Sequence, residues 1–170
     1  AIVDGKPKIC NLKDFLTNFL TFREDVVIKK TKYDLKKAED RAHILIGLSV
    51  SVENLDKIIK IIRSSKTPED AKKSLLASKW KINKSLKLIS LVDEKKSKNS
   101  YSFSDSQVLA ILELRLQKLT AIGINEIEVE IKKLADLIKS YKKILNSKKE
   151  LLKVISEELK FIKEKFAVPR

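Results

Sequence analysis

The last third of the chain carries a long helical periodicity that one helix alone cannot satisfy. Its apolar residues step by three and four: Ile124, Ile127, Ile131, Leu134, Ile138, Tyr141, Leu145, Leu152, Ile155, Leu159, Ile162 and Phe166. Lys, Glu and Asp occupy most positions between them, which is the pattern of a coiled-coil seam with solvated flanks. Only Lys148 interrupts the step. Such a helix buries its apolar stripe only against a partner helix, so the position of that partner decides the architecture.

A second, weaker heptad pattern lies near the other end of the chain. It consists of Ile28, Thr31, Leu35, Ala38, Ala42, Leu45, Ser49 and Val52. The chain between the two patterns is long enough to form a knob and to return to where it left, and consecutive elements tend to be neighbours in space. We therefore predict an antiparallel coiled-coil hairpin arm with a small helical knob inserted at its tip. Parallel pairing between two chains is the alternative.

The composition favours an all-α protein, because three glycines and three prolines are too few for the turns of an all-β fold. We predict a loop over residues 1–11, an outgoing arm helix over 12–52, a knob and dimer gate over 53–123, and a return arm helix over 124–170. The sequence has no apolar run long enough for a membrane span, no signal-peptide core and a single cysteine. We therefore expect a cytoplasmic protein, and the lack of any methionine suggests a fragment of a longer one.

Apolar residues are unusually dense at the start of the outgoing helix. Leu12, Phe15, Leu16, Phe19 and Leu20 fall on several faces of one predicted helix. A helix that is apolar on several sides is buried by more than one neighbour. We therefore expect this end of the arm to pack against something more than its partner helix.

The net charge of +14 favours a polyanionic partner such as nucleic acid. Of the 37 basic residues, however, only five are arginines, whereas readers of base edges and phosphates depend on the forked guanidinium group. The candidates for facing DNA are therefore a diffuse set on the outgoing helix: Lys29, Lys30, Lys36 and Lys37. A merely solvated helix face is the alternative.

Two helix starts are marked within the knob. Thr67 precedes Pro68 and two acidic residues, which is the pattern of an N-cap. Ser104 and Gln107 have the spacing of a capping box. Between the two starts, we predict another short helix or turn from the apolar residues Trp80, Ile82, Leu86, Leu88, Ile89, Leu91 and Val92. We also predict a buried position for the Trp80 side chain.

The segment that follows Ser104 is the predicted centre of a homodimer interface. Residues 104–123 carry no net charge in a chain of +14, and apolar side chains cover more than half of the helix circumference. We expect two copies to meet here, with the end of the outgoing heptad pattern alongside. The predicted interface residues are Ile44, Leu45, Leu48, Val52, Val108, Ile111, Leu112, Arg115, Leu116 and Leu119. The alternative is that these leucines form only the knob's own core.

Side chains for catalysis or metal binding are scarce. His43 is the only histidine, and no serine stands in a glycine-rich elbow beside it in the pattern of a hydrolase. One cysteine and one histidine cannot hold a structural zinc, and no calcium loop or phosphate-binding glycine loop is present. We therefore predict no catalytic residue and no metal site, and a packing or capping role for His43.

Four blocks of the sequence resemble the corresponding blocks in the A chain of bacterial DNA gyrases. They are NLKDFL at 11–16, TKYDLKKAEDRAHIL at 31–45, residues 104–120, and EELKFIKEKF at 157–166. The run RAHIL and the run LRLQKLT are specific in combination. The resemblance extends over essentially the whole chain, although the Lys/Ile-rich part of the knob matches only in outline.

The resemblance implies the coiled-coil arm and exit gate, or C-gate, of a type IIA topoisomerase, an ATP-dependent enzyme that passes one DNA duplex through another. In that family the strand-cleaving tyrosine and its arginine lie upstream of this segment, and the DNA-wrapping domain lies downstream. The full enzyme of that family uses Mg and ATP. The resemblance implies no cofactor in this segment itself. The implied partners are a second copy through the knob, DNA held transiently and without sequence preference, and the gyrase B protein; no membrane is implied.

Three other functions stay open at this point. One is the equivalent arm of topoisomerase IV. The others are a free-standing basic coiled-coil module that binds nucleic acid and a purely structural arm without polyanion contact. The oligomeric state discriminates among the classes, because a gate must self-associate through its tip and a simple nucleic-acid module need not.

Overall fold

A computed structural model describes residues 1–3, 5–82, 85–92, 100–113 and 124–168 of the chain. These residues form seven helices: α1 Leu12–Glu53, α2 Leu55–Ser64, α3 Pro68–Ala77, α4 Ser85–Val92, α5 Asp105–Glu113, α6 Ile124–Asn146 and α7 Lys148–Phe166. Two short antiparallel strand pairs accompany them: β1 Ile2–Val3 with β2 Lys6–Pro7, and β3 Trp80–Lys81 with β4 Ser100–Tyr101. The predicted all-α class is confirmed.

Helix α1 runs for 42 residues, and no proline stands within it to break or kink it. At its start, Asn11 Oδ1 accepts a hydrogen bond from Asp14 N at 2.8 Å, and Asp14 Oδ2 accepts one from Asn11 N at 3.1 Å. Just beyond its end, the side-chain amide of Asn54 donates to Lys81 O at 2.9 Å, which ties the corner to β3. The helix covers the residues predicted for the outgoing arm, 12–52.

The chain divides into two compact units, which we call the terminal unit and the central unit. The terminal unit comprises Ala1–Lys36 and Lys139–Arg170, and the central unit comprises Lys37–Ile138. The predicted knob, residues 53–123, lies within the central unit. Helix α1 contributes its first part to the terminal unit and its last part to the central unit.

In the terminal unit, α1 pairs with α7 in antiparallel order. Arg23 forms an ion pair with Glu158, and one turn further along α1 the buried Val27 shares an apolar cluster with Leu151 and Ile155. Residue numbers on α7 therefore decrease as residue numbers on α1 increase, so the two helices are antiparallel. This is the order that the hairpin prediction requires within this unit.

In the central unit, the end of α1 lies beside the first half of α6. Leu45 shares the main apolar core with Ile127 and Ile131. At the edge of this contact, Arg41 Nε lies 2.9 Å from Glu130 Oε1. All eight residues of the outgoing heptad pattern are buried or half-buried, as the periodicity predicted: Ile28, Thr31, Leu35, Ala38, Ala42, Leu45, Ser49 and Val52.

The return seam is confirmed only in part. Ile127, Ile131, Ile138 and Ile155 are buried. Ser147, however, has extended backbone angles, with φ −130° and ψ 113°, so the return helix breaks there into α6 and α7. The break shifts the helical phase, and the next buried position is therefore Leu151 instead of the predicted Leu152.

The remaining seam predictions near the carboxyl end are wrong for this chain by itself. Leu152, Leu159, Ile162 and Phe166 are all exposed. Burial of a coiled-coil stripe needs a partner helix over the same length. In the terminal unit the buried apolar cluster includes Leu151 and Ile155 but none of these four residues.

The core of the central unit is centred on Trp80, which is 1% exposed. Its ring centroid lies 5.1 Å from that of Phe103, its Nε1 donates to Leu75 O at 3.2 Å, and the Lys57 ammonium group lies 4.8 Å from the ring centroid. The predicted burial of Trp80 is therefore correct. The predicted short helix in this stretch is confirmed as α4, although Trp80 itself lies in β3, which pairs with Tyr101 of β4.

Both predicted helix starts in the knob are confirmed. Thr67 Oγ1 accepts a hydrogen bond from Asp70 N at 3.2 Å, and Pro68 occupies the first position of α3. Ser104 and Gln107 form the reciprocal bonds of a capping box. Each of these caps fixes the first turn of a short helix whose apolar side faces the core.

Gly47 is a point of close approach between α1 and α5. A Cβ at this position would lie 2.8 Å from Gln107 Cγ and 2.9 Å from Cδ, and Gln107 is 1% exposed. Alanine stabilises a helix by up to about 1 kcal/mol relative to glycine, but overpacking costs about 1–3 kcal/mol. We expect Gly47→Ala to lower the free energy of unfolding by about 1–2 kcal/mol, measured by urea denaturation followed by circular dichroism.

The control is the same substitution in a Gln107→Ala background. Removal of Cγ and Cδ leaves only the Cβ contact of 3.0 Å, so Gly47→Ala should cost less there than in the wild-type chain. Equal or higher stability of the single Gly47→Ala variant would contradict the close-approach argument.

Candidate functional site

The start of α5 is fixed against α1 by a network of polar side chains. Ser104 N donates to Gln107 Oε1 at 3.0 Å, and Gln107 N donates to Ser104 Oγ at 3.4 Å. Ser104 Oγ also lies 2.7 Å from His43 Nε2. His43 therefore has the predicted capping or packing role, because its side chain contacts the N-cap residue of α5.

Gln107 anchors α5 a second time. Its side-chain amide donates to His43 O and to Tyr101 Oη, both at 2.7 Å. A buried amide with these partners has little freedom to move, because each lost bond would leave a buried polar group unpaired. Helix α5 therefore has a defined rotation about its own axis, and this rotation decides which of its side chains face outward.

The two sides of α5 differ in burial. Val108 and Ile111 point into the core and are at most 2% exposed, whereas Leu109 is 46% exposed. Leu112 is half-buried and packs against the edge of the same core. An exposed leucine beside a half-buried one is the part of α5 that has apolar surface left to offer to a partner.

The structure distributes the predicted dimer-interface residues among three kinds of position. Buried in the central unit's own core are Leu45, Leu48, Val108 and Ile111. Half-buried are Ile44, Val52 and Leu112. Arg115, Leu116 and Leu119 lie outside the described residues. The exposed Leu109 was not among the predicted interface residues, because periodicity alone cannot tell which apolar side of a helix the core takes.

The lysines predicted to face DNA are all exposed. Lys29, Lys30 and Lys36 lie on α1 within the terminal unit, and Lys37 begins the central unit. Within the described ranges, none of them forms an ion pair; the ion pairs there involve other residues. Their charges are therefore available to a polyanion.

The described part of the terminal unit carries many exposed apolar side chains, which we call together the terminal apolar surface. It comprises Leu12, Phe15, Leu16, Phe19, Leu20 and Phe22 of α1 with Leu159, Phe161, Ile162 and Phe166 of α7. On α1, the exposed fraction of these side chains is 76% at Leu12, 40% at Leu20 and 63% at Phe22. Contiguous exposed apolar areas of more than a few hundred Å² mark interaction sites in soluble proteins.

Neither a metal cluster nor a membrane span is found in the part of the chain that the structure describes. Within it, no three His, Cys, Asp or Glu side chains gather closely enough to hold an ion. None of its helices combines the length and the apolar character that crossing a bilayer requires.

Comparison with known proteins points to one family. Residues 1–160 match the family model of the gyrase A protein and its counterpart in topoisomerase IV. The DNA gyrase A proteins of Rickettsia felis and Rickettsia bellii are 47% and 46% identical over 173 aligned positions that cover all of this chain. That of Aeromonas salmonicida is 39% identical over 81% of the chain. The match covers 19%, 19% and 16% of these relatives, so the chain spans about a fifth of their length or less.

Proposed function

Because the chain belongs to the family of the DNA gyrase A protein and its topoisomerase IV counterpart, we propose that it is the coiled-coil arm and exit gate of a gyrase A protein. The observation that carries this proposal is α1, a helix of 42 residues that pairs with α7 in antiparallel order in the terminal unit and lies beside α6 in the central unit. A paired long helix with a small helical core is suited to a mechanical task. The arm would hold a gate closed behind a transported duplex and then let it open.

The gate would form where two copies of the central unit meet. Two chains of +14 repel each other, and this repulsion is weakest where the surface is neutral. Residues 104–123 carry no net charge, and α5 within them presents Leu109 and the edge of Leu112. Closure would then rest on apolar burial, which is reversible and needs no bond chemistry in this segment.

We expect the chain to be a dimer at about tens of micromolar, as sedimentation equilibrium would measure. A specific interface buries at least ~1,000 Å² in total, which is more than the two leucines provide, so residues around them must contribute. A monomer across this range would contradict the gate and leave the alternatives of a nucleic-acid module or a structural arm.

The terminal apolar surface supports the proposal that this segment is embedded in a longer polypeptide. We propose that other parts of that polypeptide cover this surface, since exposing so many aromatic and aliphatic side chains to water is unfavourable. The whole enzyme would pass one duplex through another in the cytoplasm, together with the gyrase B protein. Mg and ATP would serve in other parts of that enzyme.

A second candidate function is supported by the exposed lysines of α1. As a free-standing basic module, or as the corresponding arm of topoisomerase IV, the chain would bind duplex DNA weakly and without sequence preference. Such binding falls steeply between about 50 and 200 mM salt. The gate requires self-association through α5, whereas the module does not. Neither function includes strand cleavage by this segment, so nicking of a plasmid in the presence of magnesium would contradict both.

A further inference from the structure

We propose that Tyr33 is a DNA contact residue whose phenol hydroxyl donates a hydrogen bond to a backbone phosphate of duplex DNA. The proposal rests on the proposed DNA contact of the α1 lysines and adds an uncharged contact at its centre. It assigns a role to an aromatic side chain that neither the apolar core nor the terminal apolar surface uses.

The position of Tyr33 follows from helix geometry. Lys29 and Lys30 precede it by four and three residues, and Lys36 follows it by three. Residues three and four apart are neighbours on a helix surface, with about 5–6 Å between their Cβ atoms. The buried Thr31 lies on the opposite side of the helix, because two residues correspond to about 200° of rotation. Tyr33 therefore stands at the centre of three outward-facing lysines.

Nothing in the described part of the terminal unit occupies this side chain. Tyr33 is 67% exposed, and its hydroxyl has no hydrogen-bond partner among those residues. The cation–π contacts in the same ranges involve Trp80, Phe161 and Phe166, so no lysine covers the Tyr33 ring.

The charges around Tyr33 favour an anion. Lys29, Lys30 and Lys36 form no ion pair in the described ranges, and Asp34 lies about 100° around the helix from Tyr33. Within the terminal unit, the neighbours of Tyr33 at three and four residues along α1 are therefore all lysines.

Duplex DNA fits this surface better than a single strand does. Single strands bind in grooves where successive bases stack on several aromatic side chains. Tyr33 stands alone among lysines on a convex helix face, which favours contact with the sugar-phosphate backbone. Tyrosine hydroxyls are among the ordinary donors to DNA phosphates.

The test separates neutral from ionic contacts by their salt dependence. Each lysine–phosphate contact contributes about −0.9 to the slope of log K against log salt concentration, because it releases counterions. A hydroxyl–phosphate bond releases none. We therefore expect Tyr33→Phe to weaken binding of the chain to a mixed-sequence duplex by about threefold to tenfold at every salt concentration, with an unchanged slope. Lys30→Gln should make the slope shallower by about 0.9.

Phe161→Leu serves as the matched control, since Phe161 is an exposed aromatic residue outside this face. It should change neither affinity nor slope. Unchanged affinity of Tyr33→Phe, combined with a shallower slope for Lys30→Gln, would overturn the Tyr33 contact and leave the lysine contact standing. Absence of duplex binding would overturn both. A loss with Tyr33→Ala but not with Tyr33→Phe, together with preference for a single strand, would replace the hydrogen bond by base stacking.

Discussion

Leu109→Asp should raise the dissociation constant of the proposed dimer at least about a hundredfold and leave the central unit folded. In a closed gate the new carboxylate would be buried without a partner, which costs several kcal/mol. Each 1.4 kcal/mol corresponds to a factor of ten in the dissociation constant. Leu109 is 46% exposed in the single chain, so the intramolecular core loses little when it is replaced.

Val129→Asp is the matched control for this prediction. Val129 is an apolar residue of the same unit with 50% exposure, but it lies on α6 outside the proposed interface. Sedimentation equilibrium should therefore show dissociation for Leu109→Asp only, with circular dichroism unchanged in both variants. An intact Leu109→Asp dimer would exclude this part of α5 from the gate.

Leu112→Asp should combine two effects, because Leu112 is half-buried against the core as well as near Leu109. We expect it to dissociate the dimer and also to lower the free energy of unfolding of the central unit. If Leu112→Asp loses its helix signal in circular dichroism instead of giving a folded monomer, Leu112 belongs to the core alone.

Trp80→Ala should lower the free energy of unfolding of the central unit by about 3–5 kcal/mol. Replacing a buried aromatic residue by alanine removes its transfer free energy and leaves a cavity. It also leaves Leu75 O without the indole hydrogen bond and removes the ring contact with Phe103. A loss of this size is a large fraction of the roughly 5–15 kcal/mol by which domains are stable.

Urea denaturation followed by circular dichroism measures this loss, since Trp80 is the only tryptophan and its fluorescence disappears with the substitution. Tyr33→Ala is the control, because it removes an aromatic ring from an exposed position and should change stability by at most about 0.5 kcal/mol. Trp80→Phe should recover part of the loss by filling the cavity. Equal stability of Trp80→Ala and the wild-type chain would show that the ring is not a core residue.

The heptad patterns predicted the helical class and most of the seam. The eight outgoing positions depend only on the phase of one uninterrupted helix, and α1 has no proline to disturb that phase. Capping signals at Thr67 and Ser104 were equally readable, because an N-cap acts over three residues of contiguous sequence. The buried role of Trp80 followed from its size and apolar character.

The candidate site was less accessible to sequence reasoning. Apolar residues in a segment without net charge indicate burial, but burial in the chain's own core and burial against a second copy have the same composition. Val108 and Ile111 satisfy the core, and Leu109 is left outside, because Gln107 fixes the rotation of α5 through bonds to α1 and Tyr101. Those partners lie up to 64 residues away in the chain, so no local pattern records them.

By itself, the sequence determined which segments are helical, where two of the short helices start and which stripe of α1 is buried, because these properties depend on neighbours within a few residues. Tertiary structure decided the rest. The break at Ser147 moved the seam from Leu152 to Leu151, Trp80 joined a strand through its pairing with Tyr101, and Gly47 gained its importance from the side chain of Gln107. Each of these outcomes is set by contacts between residues distant in the chain, or by a backbone rotation at one residue that propagates through every later helical position.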